Sequence, residues 1–132
     1  MTREYINPPG VAAPPNNLYT HVVKVGNTVY IAGQVPRGPD GRAVHPGDPE
    51  AQTRLVWGNL EKAVTAGGGS LKDIVKTTTY VVGAENLAKV LNARRELLPP
   101  ERRPTSTTVL VAGLADPNFL VEVEAIAVIG DG

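Results

Sequence analysis

Two carboxylates, Glu122 and Glu124, interrupt an otherwise apolar run from Val121 to Ile129. In an extended strand that spacing puts both on one face with their Cα atoms about 7 Å apart, a separation at which paired acid and base groups can act. A sugar hydrolase would also need aromatic platforms, and the chain holds one Trp, Trp57. A solvated sheet face, or an ion pair with another subunit, accounts for the same two residues without catalysis. Ser106, Thr107 and Thr108 offer three hydroxyls that could donate hydrogen bonds to a ligand, although such residues also simply suit a pleated strand.

Other chemistries find less support. His21 and His45 are too few and too far apart for a metal site, and with no cysteine neither a thiolate site nor a disulfide framework is available. Gly67-Gly68-Gly69 lacks the Lys-Ser/Thr of a phosphate loop and reads as a helix stop. Thirteen Lys plus Arg balance thirteen Asp plus Glu, so nucleic acid and anionic membranes are unexpected partners. The densest basic cluster, Arg94, Arg95, Arg102 and Arg103, is broken by Glu96 and Glu101 and reads as a solvated helix end. No apolar run is long enough to span a bilayer and the first residues lack a signal-like apolar stretch, which points to a cytoplasmic protein.

The elements that must position these residues follow from periodicity. Residues 1–18, rich in proline after Asn7, read as a leader loop, and residues 19–132 as a single domain. Val22 to Val25 and Thr28 to Ile31 flank Gly26-Asn27 as a β-hairpin. Pro36, Pro39 and Pro46 with Gly38, Gly41 and Gly47 make the next stretch a loop, and Asp48-Pro49 then caps a helix. Leu55, Val56, Leu60, Ala63 and Val64 supply that helix with an apolar stripe. Ile74 to Val82 is rich in β-branched residues and reads as a strand; Leu87, Val90, Leu91, Leu97 and Leu98 return to helical spacing before Pro99-Pro100. Thr105 to Val111 and Phe119 to Ile129 complete the pattern as strands. In the last of these Val121, Val123, Ala125, Ala127 and Ile129 share a face that belongs under helices. The other face carries Leu120, Ile126 and Val128, an apolar patch that calls for a symmetry mate.

Leu18-Tyr19-Thr20-His21, Val29 through Ala32-Gly33-Gln34, Gln52-Thr53-Arg54 through Asn59-Leu60, Asp73 through Thr78 and Val121 through Ala127, in that order, resemble the RidA/YjgF family of reactive-intermediate deaminases. The resemblance runs over nearly the whole chain from about residue 18. It implies an α+β, chorismate-mutase-like fold: a mainly antiparallel sheet with two helices on one face, order β-β-α-β-α-β-β, assembled as a homotrimeric barrel with clefts between subunits. It also implies hydrolysis of enamines and imines to ketoacid and ammonia without a metal or other cofactor.

By that resemblance Glu122 is the catalytic carboxylate, and Tyr19, His21, Ala32, Gly33, Leu91, Ser106, Thr107 and Thr108 border the substrate. One departure matters most. The family's carboxylate-gripping arginine, two residues after a proline, falls at Ser106 in Pro104-Thr105-Ser106, and a hydroxyl cannot replace the paired charge-assisted bonds of a guanidinium. Ala32, Leu91 and His21 also stand where the family commonly has serine, asparagine and glutamine. The expectation is therefore a small metabolite bound between subunits with weak or absent imine deamination. A hydrolase of altered specificity and a non-catalytic regulatory or interaction module are the alternatives.

Overall fold

Residues 2–130 are described by a computed structural model. Eight principal elements follow one another: β1 (Arg3–Ile6), β2 (Val22–Val25), β3 (Thr28–Gln34), α1 (Pro49–Ala66), β4 (Ile74–Val82), α2 (Leu87–Leu97), β5 (Thr105–Val111) and β6 (Val121–Val128). The six strands form one sheet in the order β1-β2-β3-β6-β4-β5. Every neighbouring pair is antiparallel except β4 and β5, which α2 connects as a parallel crossover.

Local sequence explains the boundaries. At the β2–β3 turn Gly26 adopts φ 59°, a left-handed conformation that costs glycine nothing. Asp48 accepts a hydrogen bond from the Ala51 amide at 3.0 Å, and Pro49 opens α1 where its missing N–H would have had no partner. Thr53 returns its hydroxyl to the Pro49 carbonyl at 2.7 Å.

The apolar faces meet as alternation requires. Val121, Val123, Ala125 and Ala127 of β6 are buried with Val29 and Ile31 of β3 and Val56, Trp57, Leu60, Ala63 and Val64 of α1. Val90 and Leu98 bring α2 into the same core. Trp57 rather than Leu55 fills the centre of the α1 stripe, and Leu55 is only half-buried. A bulge at Val75 lets Ile74 and Thr77 share the helix-covered face, opposite Ala127 and Ala125.

The expected leader loop needs correcting. Arg3–Ile6 forms strand β1, whose backbone pairs with β2 from Arg3↔Val25 to Ile6↔Val22. Proline begins only at Pro8, so nothing before it prevents extension along the hairpin edge. Beyond β1 the segment stays tied down: Asn7 Oδ1 accepts from the His21 amide at 3.0 Å, and Lys62 donates to the Gly10 carbonyl at 3.2 Å. Among the described residues no helix is long and apolar enough to cross a membrane.

Gln52 holds the connections to the sheet. It is wholly buried, and its amide donates to the carbonyls of His45 at 3.0 Å and Asn118 at 2.8 Å. Its Oε1 accepts from the Leu120 amide at 2.8 Å. One side chain thereby satisfies backbone from the loop before α1 and from the β5–β6 connection.

Candidate functional site

Glu122 owes its position to a defect in the sheet. Between the pairs Ile31↔Ala125 and Gln34↔Val123, β3 inserts Ala32 and Gly33 opposite Glu124 alone. The Glu122 carboxyl lies over Gly33, where a Cβ would collide with Oε2, so only glycine leaves this space. Burial, and then the charge of Glu124, pushes the Glu122 carboxyl above its ordinary value of 4.5. Glu124 is exposed and accepts a 3.4 Å hydrogen bond from the Tyr80 hydroxyl. The two carboxylates share a face yet occupy different environments, which is how acid and base roles separate.

Behind Gly33 lies a hydrogen-bonded wall. Gln34 donates to the Ala32 carbonyl at 3.0 Å and to His21 Nδ1 at 3.1 Å, so His21 Nε2 carries the proton and donates to the Ala12 carbonyl at 2.7 Å. Both ring nitrogens are engaged, and neither is left for a ligand. His21 is instead the post that holds the N-terminal segment against β2 and β3. Tyr19 stands edge-on to it, with ring centroids 5.6 Å apart, and keeps an exposed outer surface. The hollow bordered by Tyr19, His21 and Gly33 measures about 10 Å³ in this single chain, room for at most one water.

Of the remaining residues, Leu91 and Ser106 meet elsewhere, between α2 and the edge strand β5. Leu91, Thr77, Ser106 and Pro104 line a cavity of about 190 Å³ together with Arg94, Arg95 and Arg103. Arg94 Nη1 donates to Ser106 Oγ at 2.7 Å. Burial, then Arg103 and Arg95, holds the Arg94 guanidinium below its usual range. Thr108 points to the same side of the sheet, in register with Thr79, whereas Thr107 pairs with Thr78 on the opposite side, the side of Glu124.

The solvated-helix-end reading of the basic cluster holds for Arg95, Arg102 and Arg103, which are exposed, and needs correcting at Arg94. Arg94 is half-buried and turned towards β5, and Glu96, which breaks the cluster in the sequence, pairs with Arg54 of α1 at 2.6 Å. The signal was present in the spacing. Arg94 falls on the apolar stripe of α2, four residues after Val90 and four before Leu98.

In one chain the expected site is thus divided. Ser106 is in register with Thr77 and Ala125 on the helix-covered side, while Glu122 is in register with Tyr80 and Val109 on the open side. The sheet itself stands between them. The model of the family described as Endoribonuclease L-PSP matches residues 10–129. The chain belongs to the RidA/YjgF family.

Relatives of this RidA-family chain cover it almost end to end. It is 33% identical to the 3-aminoacrylate deaminase RutC of Acinetobacter baylyi over 96% of this chain and 98% of that one. Among solved structures, RidA from an Antarctic Psychrobacter is similar with a TM-score of 0.86 and 32% identity, covering 96% of this chain and 99% of that one. Escherichia coli TdcF with bound serine gives a TM-score of 0.84 at 30% identity, with 96% and 100% covered. The expected α+β, RidA-type fold is therefore the observed one.

Proposed function

We propose that this protein is an enamine or imine hydrolase of altered substrate specificity, acting as a homotrimer in clefts built by two chains. The observation that carries the reading is the seat of Glu122: a half-buried carboxyl, pushed above its ordinary value by burial and then by Glu124, held over a glycine at a bulge. Such a group can give a proton and take one back. Protonation of an enamine carbon by Glu122 yields an iminium ion. Water then adds to its carbon as Glu122 recovers a proton; Glu122 passes that proton to the nitrogen and takes the hydroxyl proton as the C–N bond of the carbinolamine breaks, leaving the carbonyl compound and ammonia. The RutC relative, named as a 3-aminoacrylate deaminase, supports this class of substrate. TdcF with bound serine supports a small amino- or ketoacid-like ligand.

The division of the site supports the assembly. Glu122 with Tyr19 and Gly33 forms one half, and Ser106 with Leu91 and Thr108 the other, and the two halves reach a single small ligand when neighbouring subunits place them face to face. The open sheet face favours such contact: Tyr30 is 49% and Val128 47% exposed there, too much apolar surface to leave in water without a use. Purified protein is expected to release ammonia from small enamines generated in situ, and Glu122→Gln to lower the rate at least about a hundredfold while the assembly stays intact. Undiminished turnover by that variant would remove Glu122 from the chemistry and the reading with it.

A further inference from the structure

The cavity between α2 and β5 is walled by three guanidiniums, those of Arg94, Arg95 and Arg103. Among the described residues none of the three forms an ion pair; the pairs present are Arg42–Asp40 and Arg54–Glu96. Arg95 reaches only the Asn92 side chain, at 3.3 Å, and Arg94 only the neutral Ser106 hydroxyl. No carboxylate lines the cavity. Glu101 borders a separate groove with Lys72, Arg102 and Arg103 and is itself unpaired.

Like charges gathered around a hollow repel one another, and the partial burial of Arg94 adds a desolvation cost. An anion entering the hollow relieves both. The serine at position 106 is what makes room: its short side chain leaves the end of β5 open, and Arg94 reaches across from the helix to bond it.

We propose that this cavity is a binding pocket for the doubly negative end of a small metabolite, with Arg94, reaching from α2, as the principal cation and Arg103 and Arg95 completing the charge. The inference rests on the hydrolase reading for what happens at the other end of the ligand, and it deepens that reading by assigning the ligand's charge. Three planar donors suit two negative charges better than one, because each guanidinium can present a pair of N–H groups to an oxyanion. A short dicarboxylate and a phosphomonoester both carry that chemistry.

The test is calorimetric titration of the wild-type protein with malonate, inorganic phosphate and acetate at one ionic strength. Malonate or phosphate is expected to bind at least about tenfold tighter than acetate, and whichever of the two binds tighter identifies the dianion. Arg94→Gln should weaken the dianion at least about tenfold and Arg103→Gln, on an exposed side chain, by a smaller factor. Arg102→Gln, outside the cavity, should change nothing. Equal affinity for acetate and both dianions, or unchanged binding by Arg94→Gln and Arg103→Gln, would overturn the proposal. Because binding is read without turnover, the two readings fail separately: dianion binding through Arg94 without hydrolysis sinks only the hydrolase, and hydrolysis with wild-type KM in Arg94→Gln sinks only the pocket.

Discussion

Glu122 and the glycine beneath it carry the proposed chemistry. Gly33→Ala puts a methyl where Glu122 Oε2 lies. The flexible carboxylate end yields more readily than the sheet, so stability should shift by no more than about 1 kcal/mol while turnover falls at least about tenfold. Paired measurements of melting and rate separate the two effects. Glu122 also makes a pH signature. Its carboxyl is raised in the fold, so the favourable neutral state is fully present below the ordinary value of 4.5 and is lost as pH rises through the raised value. Glu122→Gln, neutral throughout, should therefore melt with the wild type below pH 4.5 and above it at about pH 8. A constant difference at both pH values contradicts the assigned cause.

Among the elements, the least replaceable join belongs to Gln52. Gln52→Ala leaves the Leu120 amide and the carbonyls of His45 and Asn118 without their side-chain partner; a fully buried unpaired group costs about 1–3 kcal/mol, and because water can reach these partly buried ones in the variant, the total should stay near the low end, about 2–5 kcal/mol. Urea denaturation should show the midpoint falling with the slope unchanged. Gln52 and Arg94 share a lesson about what the sequence made legible. The strands and both helices were readable because their apolar residues keep a period of two or of about 3.6. Gln52 precedes Val56 by four residues and Arg94 follows Val90 by four, so each polar side chain sits on an apolar stripe, and periodicity built from apolar residues alone passes over them. Strand β1 escaped for another reason: in a four-residue edge strand with three exposed members, the pairing lies in backbone hydrogen bonds to β2 rather than in side-chain pattern. The division of the site was equally hidden, because it depends on strand register, which bulges at Ala32–Gly33 and Val75 reset.

For the whole molecule, the proposed assembly rests on the open sheet face. Tyr5, Val23, Tyr30 and Ile126 stand in one cross-strand row there. Tyr30→Glu adds a charge in the middle of that row, and sedimentation should find monomers that retain the far-ultraviolet spectrum but have lost turnover. A trimer with Tyr30→Glu, or an active monomer, argues against clefts shared between chains.

The most direct measurement mixes two disabled chains. Glu122→Gln removes the carboxyl half, and Ser106→Asp sets a negative charge against Arg94 in the anion half; each alone is expected to be inactive. Refolded together in equal amounts they form mixed trimers in which a cleft drawing Glu122 from one chain and Ser106 from its neighbour is intact about one time in four. Recovery to about a quarter of wild-type activity is expected. Mixed trimers that form, as native mass spectrometry would show, yet recover no activity would contradict it.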